Sequence, residues 1–319
     1  MTEALPIRSP VIMRSRLMLE VASHLVAQPD WGDKQVEIHL RPQGNPDWRL
    51  CFFASDAPNA VDAVMSGAAD VAICNPGGIL AMACRGVAPF DRPMPLRAIM
   101  VLPQFDQFAF AVSGATGITS LADLRDKKYP LRLSLRGQPD HSVHLVTNLV
   151  LSTYGFSLDD ITTWGGQVRY DEGTPGSGRI QMAERGEIDA IFDEALNTFG
   201  RKALELGWRF LPVDKPNLKE LEAMGLRRVA ITPREYPGVN EDVWTVDFSG
   251  WPVFTREDAP DAMVSAFCAG LDARKDRIPW YGTGPMNLSV MVSDTREAPM
   301  AIPLHPAAER YWRAHGYLK

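Results

Sequence analysis

The chain has 319 residues, enough for about two domains of ordinary size. Hydrophobic residues make up 45% of it, so a large core can be buried without disulfide or metal staples. Lys plus Arg number 33 against 39 Asp plus Glu, a formal net charge of −6 that excludes a general nucleic-acid binder, which needs a basic footprint.

The first predicted element is a helix over residues 13–26, where Met13, Leu17, Leu19, Val21, Leu25 and Val26 give a mostly helical apolar spacing. Residues 35–40 alternate as a strand with Val36, Ile38 and Leu40 on one face, and 48–54 form a second extended run. A helix follows over 58–65, with Pro58 suited to its first turn and Gly67 to its stop. Short apolar strands are predicted at 70–74, 96–102 and 108–112. A strand at 131–135 feeds a helix running from near Asp140 to about Tyr154. Beyond it, helices at 180–185 and 197–206 alternate with strands at 187–192 and 208–213. Residues 243–254 are extended, and helices are predicted at 260–275 and 306–315.

Helices alternating with short continuous apolar strands predict an α/β protein with mostly parallel sheets covered on both faces. No apolar run approaches the ~20 residues that a bilayer requires, so no membrane span is expected. Residues 11–27 carry Arg14, Arg16, Glu20 and His24, which breaks the apolar core of a secretory leader. As encoded, the expected location is the cytoplasm. Cys51, Cys74, Cys84 and Cys268 form no C-x-x-C pair and read as structural thiols.

One unit occurs twice. Ala63-Val-Met-Ser-Gly67-Ala-Ala-Asp70-Val-Ala-Ile73 is echoed by Met182-Ala-Glu-Arg-Gly186-Glu-Ile-Asp189-Ala-Ile-Phe192. Both read helix, Gly, two residues, Asp, then three apolar residues. The Gly supplies a left-handed helix stop, the Asp is placed to bond the turn backbone, and the triplet is a buried strand. The echo argues for two lobes rather than one long sheet. Ligands of open α/β sheets bind beyond the carboxyl ends of the strands, so Cys74, Asn75, Pro76 and Gly77 after one copy, and Asp193, Glu194 and Ala195 after the other, are expected to line a cleft.

At this point the chain resembles a known family. Ser55–Ile73, Ile118–Lys127, Tyr154–Ile161, Met182–Phe192, Tyr236–Val246 and Ile302–Trp312 are similar, in order and spacing, to segments of the TAXI-type solute-binding proteins of tripartite (TRAP) transporters. These belong to the type II periplasmic binding-protein superfamily. The resemblance implies a two-lobed fold with a hinge of crossing strands near 108–112 and 243–248. It implies a small carboxylate-bearing solute clamped between the lobes, transporter membrane subunits as partners, and neither catalysis nor a cofactor. Family members are periplasmic. Combined with the predicted elements, it places one lobe over residues 1–108 and 247–319 and the other over 109–246. The chain departs from the family at its first loop, where Ser9-Pro-Val-Ile-Met-Arg14-Ser15 holds no glycine.

The strongest local chemistry is the loop Ser134-Leu-Arg136-Gly-Gln-Pro-Asp140-His141-Ser142, which joins a strand end to a helix start. Free N–H groups and the positive end of the helix dipole favour an anion there. Arg136 can clamp a carboxylate and Ser142 can donate its hydroxyl, while Asp140 or Ser142 is the expected helix cap. Arg14 and Ser15 occupy the altered first loop. Ser55 and Asn75 lie on loops that the family uses to line its pocket. Asp193 and Glu194 can hold an ammonium group, or pair with Arg136 when the site is empty. Trp251 and Tyr281 are candidate apolar walls.

His141 and His144 share a helix face, but no third metal ligand accompanies them, so no metal is assigned. Residues 173–179 are glycine-rich yet lack the G-K-[ST] ending of a phosphate loop. His305 reads as packing against or capping the last helix. No nucleophile elbow, H-E-x-x-H motif or Cys–His pair appears, so no catalytic residue is assigned. Capture of a small acid is therefore favoured over two alternatives, an enzyme on the same fold (decarboxylase-like, for example) and a ligand sensor. For the enzyme, Asp193 or Glu194 with a raised pKa is the acid–base candidate.

Overall fold

The structure, a computed structural model, describes residues 10–26, 36–42, 44, 47–54 and 58–319. Residues 1–35 and 36–319 form separate compact units. The described part of the first unit is helix α1 (Pro10–Val26). It begins three residues earlier than the apolar spacing marks, because Pro10 fits a first helical turn.

The second unit is built on two five-stranded sheets. The first contains β1 (Val36–Leu40), β2 (Leu50–Ala54), β3 (Val71–Ile73) and β4 (Leu96–Leu102). The second contains β5 (Ala109–Ser113), β6 (Arg132–Arg136), β7 (Gln167–Asp171), β8 (Ala190–Asp193) and β9 (Trp208–Phe210). A separate ribbon pairs β10 (Arg228–Ile231) with β11 (Val243–Val246), and β12 (Trp251–Arg256) returns to the first sheet. The strand orders are β1-β2-β3-β12-β4 and β7-β6-β8-β5-β9. Helices cover them: α2 (Asn59–Met65), α3 (Gly78–Arg85), α4 (Leu121–Asp126), α5 (Ser142–Thr153), α6 (Leu158–Thr163), α7 (Arg179–Glu184), α8 (Leu196–Glu205), α9 (Lys215–Met224), α10 (Asp261–Arg274), α11 (Leu288–Met291) and α12 (Pro306–Ala314). None of the described helices is long and apolar enough to cross a membrane.

This is the α/β architecture with two helix-flanked sheets that the sequence predicts. The expectation of mostly parallel sheets is corrected: the sheets are mixed. β2 and β3 pair parallel, as do β6 with β7 and β6 with β8. β12 lies antiparallel between β3 and β4, and β5 lies antiparallel between β8 and β9. Each of these two strands enters its sheet from the direction of the other sheet, which reverses its sense. A strand buried on both faces reads as a continuous apolar run whichever way it points, so the pattern alone carries no direction.

The repeated unit is real in structure. Gly67 and Gly186 both take positive φ, at 76° and 67°, as a left-handed helix stop requires. The two aspartates play one role, though not the predicted turn bond. Asp70 Oδ2 accepts the Cys51 N–H at 2.8 Å, and Asp189 Oδ2 accepts the Arg132 N–H at 3.2 Å. Each carboxylate thus caps the entry of the neighbouring parallel strand, β2 in one sheet and β6 in the other. Asp189 also receives the Arg132 guanidinium at 2.6 and 2.8 Å.

Two segments cross between the sheets and bond to each other. Phe108 N–H donates to Val246 O at 3.0 Å, Phe248 N–H to Asp106 O at 3.1 Å, and Gly250 N–H to Gln104 O at 2.8 Å. The crossing therefore lies at 104–108 and 246–250, just before the first hinge strand predicted and at the end of the second. Phe108 and Phe248 are fully buried there, with ring centroids 5.8 Å apart. A second seam joins the sheets' helical layers. Arg85, ending α3, donates to the Glu222 and Ala223 carbonyls in the last turn of α9 at 3.0 and 2.8 Å, completing bonds a helix end leaves open. Ile79, Met82 and Leu226 share the core beneath it.

Gly250 sits at the crossing with φ 78°, and a Cβ there would meet Pro299 Cδ and Val101 Cγ1 at 2.8 Å. Gly186 has φ 67° and nothing within 4 Å. Gly186→Ala is expected to cost about 1–2 kcal/mol, the left-handed penalty alone. Gly250→Ala adds overpacking of about 1–3 kcal/mol. Urea unfolding of the two variants checks the order.

Candidate functional site

Three parallel strands, β7, β6 and β8, end side by side, and their last residues are Asp171, Arg136 and Asp193. This register brings an arginine between two carboxylates at one sheet edge. Arg136 Nη2 donates to Asp193 Oδ1 at 2.7 Å, and Nε reaches Oδ2 at 3.4 Å. The same Nη2 also donates to Glu194 Oε1. The other Asp193 oxygen, Oδ2, accepts from Arg179 Nη1. Arg179 is 1% exposed at the first position of α7, and its remaining N–H groups reach Ser134 Oγ at 2.8 Å and Ser134 O at 2.9 Å. Ser134 Oγ donates in turn to Asp171 Oδ2 at 2.6 Å. Arg169 Nη2 completes the chain, 3.4 Å from Asp171 Oδ1.

The carboxylates of this cluster are driven apart electrostatically. Burial alone would push Asp193 up, but Arg136 and Arg179 outweigh it and hold its carboxyl below the usual range. Glu194 moves the other way, well above its ordinary value. Burial is the main cause; Arg136 pulls against it, and repulsion from Asp193 and Asp106 adds to the rise. Asp106 stands on the first crossing segment, where burial pushes it up to about 6. It accepts the N–H groups of Gln107 at 2.8 Å and Ala195 at 3.2 Å, and hydrogen-bonds Glu194. Glu194 and Asp106 thus form a proton-sharing pair between β8 and the crossing. Ala195, in a left-handed conformation at φ 59°, is held by that Asp106 bond.

The predicted anion loop leads into α5. Neither Asp140 nor Ser142 caps the helix; His141 does, with Nδ1 accepting the Val143 N–H at 3.1 Å. A short side-chain acceptor was expected there, but the imidazole reaches the same N–H from extended backbone, at φ −65° and ψ 139°. His141 Nε2 then lies 3.8 Å from Glu194 Oε1. Ser142 is fully buried at the first helical position. His144 Nε2 meets Gln138 O at 2.9 Å, and burial lowers its pKa, so the histidine pair serves the loop itself. His305 caps α12 in the same way, taking the Ala307 N–H at 3.2 Å, as read from the sequence.

Of the other predicted residues, Asn75 and Trp251 lie at the crossing. Asn75 Nδ2 donates to Phe248 O and Gly250 O, both at 2.9 Å, and Trp251 Nε1 donates to Gln104 Oε1. Tyr281 lies between α10 and α11 and is 74% exposed. Arg14 and Ser15 are exposed residues inside α1, not members of a loop before it, because the helix already starts at Pro10. Ser55 lies outside the described residues.

Arg179, Asp106 and Asp171 lie outside the sequence-predicted site, and Ser134 belongs to it only as the first residue of the anion loop. The only sequence signal for Arg179 is its place at the end of the glycine-rich run 173–179, which lacks the ending of a phosphate loop.

Residues 54–316 match the profile of the NMT1-like family. Among solved structures, the chain is similar to the alkanesulfonate-binding protein SsuA from Xanthomonas axonopodis pv. citri, with 16% identity and a TM-score of 0.34 over 69% of this chain and 60% of that one. It is similar to the glycine betaine/L-proline-binding protein ProX from Borrelia burgdorferi, with 12% identity and a TM-score of 0.37 over 65% and 64%. A third likeness is to the ATP phosphoribosyl transferase (HisG:HisZ) complex from Thermotoga maritima, with 12% identity and a TM-score of 0.35 over 82% and 94%. The chain thus spans less than two thirds of the length of the first two structures.

Asp193→Asn is expected to destabilise the fold by about 3–5 kcal/mol, since it strips the buried Arg179 of its carboxylate. Glu194 supplies a pH signature. A carboxyl with a raised folded pKa adds stability that is complete below its unfolded value and is lost as pH rises through the folded one. Glu194→Gln keeps a donor for Asp106 and an acceptor for Arg136. Its unfolding free energy relative to the native chain is therefore expected to increase as pH is raised above about 4.3, the value of an unfolded glutamate, read by urea titrations along a pH series.

Proposed function

The chain belongs to the NMT1-like family, and from that membership and the geometry above we propose that it is a solute-binding protein taking a small carboxylate-bearing molecule between its two sheets. The observation that carries this reading is the pairing of Arg136. Its Asp193 partner is shared with the buried Arg179 and stays in place, whereas its Glu194 partner is a carboxyl held toward the neutral form. A ligand carboxylate replacing Glu194 exchanges a neutral acid for an anion, so Arg136 gains a charge-assisted bond without giving up its structural one. The start of α5 adds its dipole, with Ser142 and His141 at its mouth. Asn75 and Trp251 would contribute from the crossing.

In this proposal residues 36–108 and 247–319 of the second unit form one lobe and 109–246 the other, and closure about the crossing traps the solute. Its specific form is a TAXI-type receptor that delivers an organic acid or amino acid to transporter membrane subunits. The segments shared with that group support it. The second reading, an enzyme, is favoured by one observation: the Glu194–Asp106 pair is a buried carboxyl couple with raised pKa values beside a binding arginine.

A thermal-shift panel of small carboxylates, with mass spectrometry of each mixture, tests both readings. A ligand at about a hundred times its Kd stabilises the fold by ~2.7 kcal/mol. Its recovery intact supports capture, and its consumption supports the enzyme. Arg136→Ala is expected to weaken a binding carboxylate by ~1.5–3 kcal/mol; unchanged affinity in the folded variant removes Arg136 from the site. Affinity is also expected to fall as pH rises through the Glu194 titration, because the ionised side chain then competes for Arg136. Calorimetry at two pH values reads this directly.

A further inference from the structure

The outer edge of the first sheet carries a second cluster that shares no residue with the site above. β1 and β2 pair antiparallel with His39 directly opposite Cys51. Glu37 lies two residues before His39, so strand alternation puts both on one face. The three side chains converge. Cys51 Sγ is 3.7 Å from Glu37 Oε1 and 3.9 Å from His39 Nε2, and that nitrogen is 3.5 Å from the same carboxylate oxygen.

We propose that this thiol–imidazole–carboxylate triangle is a binding site for a zinc-type divalent cation. Tetrahedral zinc, with bonds of ~2.3 Å to sulfur and ~2.0–2.1 Å to nitrogen and oxygen, needs donor–donor separations of roughly 3.3–3.6 Å. The nitrogen–oxygen edge, 3.5 Å, lies within that range, and the two edges to sulfur, 3.7 and 3.9 Å, exceed it by a few tenths of an ångström at most, a closure that side-chain torsions supply. The donor set selects the metal. A thiolate with an imidazole suits a borderline-soft ion and not calcium or magnesium, which take oxygen. Cys51 is fully buried, whereas the His39 and Glu37 side chains are 58% and 55% exposed. The fourth corner of the tetrahedron therefore faces solvent, as in sites that keep a position open for water or an exchangeable ligand. Asp70 steadies the buried ligand by accepting the Cys51 N–H at 2.8 Å, the outer-shell support that metal sites use. No step of the solute reading depends on this site.

The test uses the full chain, stripped with chelator and titrated with Zn²⁺ against a fluorescent chelator, then with Co²⁺ as a spectroscopic probe. One equivalent per chain is expected, with a thiolate-to-cobalt charge-transfer band. His39→Ala and Glu37→Gln each remove a half-exposed ligand and are expected to weaken affinity by at least ~10–100-fold, the range for even outer-shell losses. Cys51→Ser is expected to abolish the band. If that buried substitution prevents folding, the His39 and Glu37 variants decide alone. Cobalt bound without the thiolate band, no binding at all, or His39 and Glu37 variants that bind as tightly as the native chain would each overturn the proposal.

Discussion

Asp193 is the constraint on which the site depends. A carboxylate with no solvent exposure is tolerable only between opposite charges, and Arg136 and Arg179 supply them from two different elements. Once Asp193 is fixed, Arg179 is committed to it and to Ser134, and Ser134 to Asp171. The ends of β6, β7 and β8 are thereby tied into one polar layer. Glu194, next in the chain, meets no second arginine among the described residues to offset its burial, and hydrogen-bonds Asp106 on the crossing. The charge state of the site and the linkage between the sheets are thus parts of one network.

Much of the fold is legible in sequence because it follows from local rules. The repeated Gly–x–x–Asp unit announces both of its strands, and the left-handed glycines hold as expected. α3 escaped notice because Gly78-Ile-Leu-Ala-Met-Ala-Cys-Arg85 is buried nearly all round and shows no periodic face. β7 is an edge strand with Tyr170 half exposed, so Gln-Val-Arg-Tyr-Asp lacks the apolar density that marks the buried strands. The extended run 243–254 conceals a break, since β11 and β12 belong to different sheets. Continuous β-propensity does not say where a chain changes partner.

The candidate site divides along the same line. Arg136, His141, Asp193 and Glu194 were accessible because strand ends and helix starts are where ligands meet open sheets. Arg179 and Asp106 were not, because a buried arginine looks like any other until its carboxylate is placed beside it. The Glu37–His39–Cys51 triangle is of that kind too. Its third donor comes from another strand, across a register that only pairing reveals.

The seam between α3 and α9 carries a mechanical consequence. Besides the crossing, the sheets are joined where Arg85 closes the last turn of α9 and where Asn59 Nδ2, at the start of α2, donates to Asp140 Oδ2 ahead of α5 at 3.4 Å. Attachments at separate places share load: a force that would part the two sheets has to stretch the bonds at each of them together, so no single bond bears it alone.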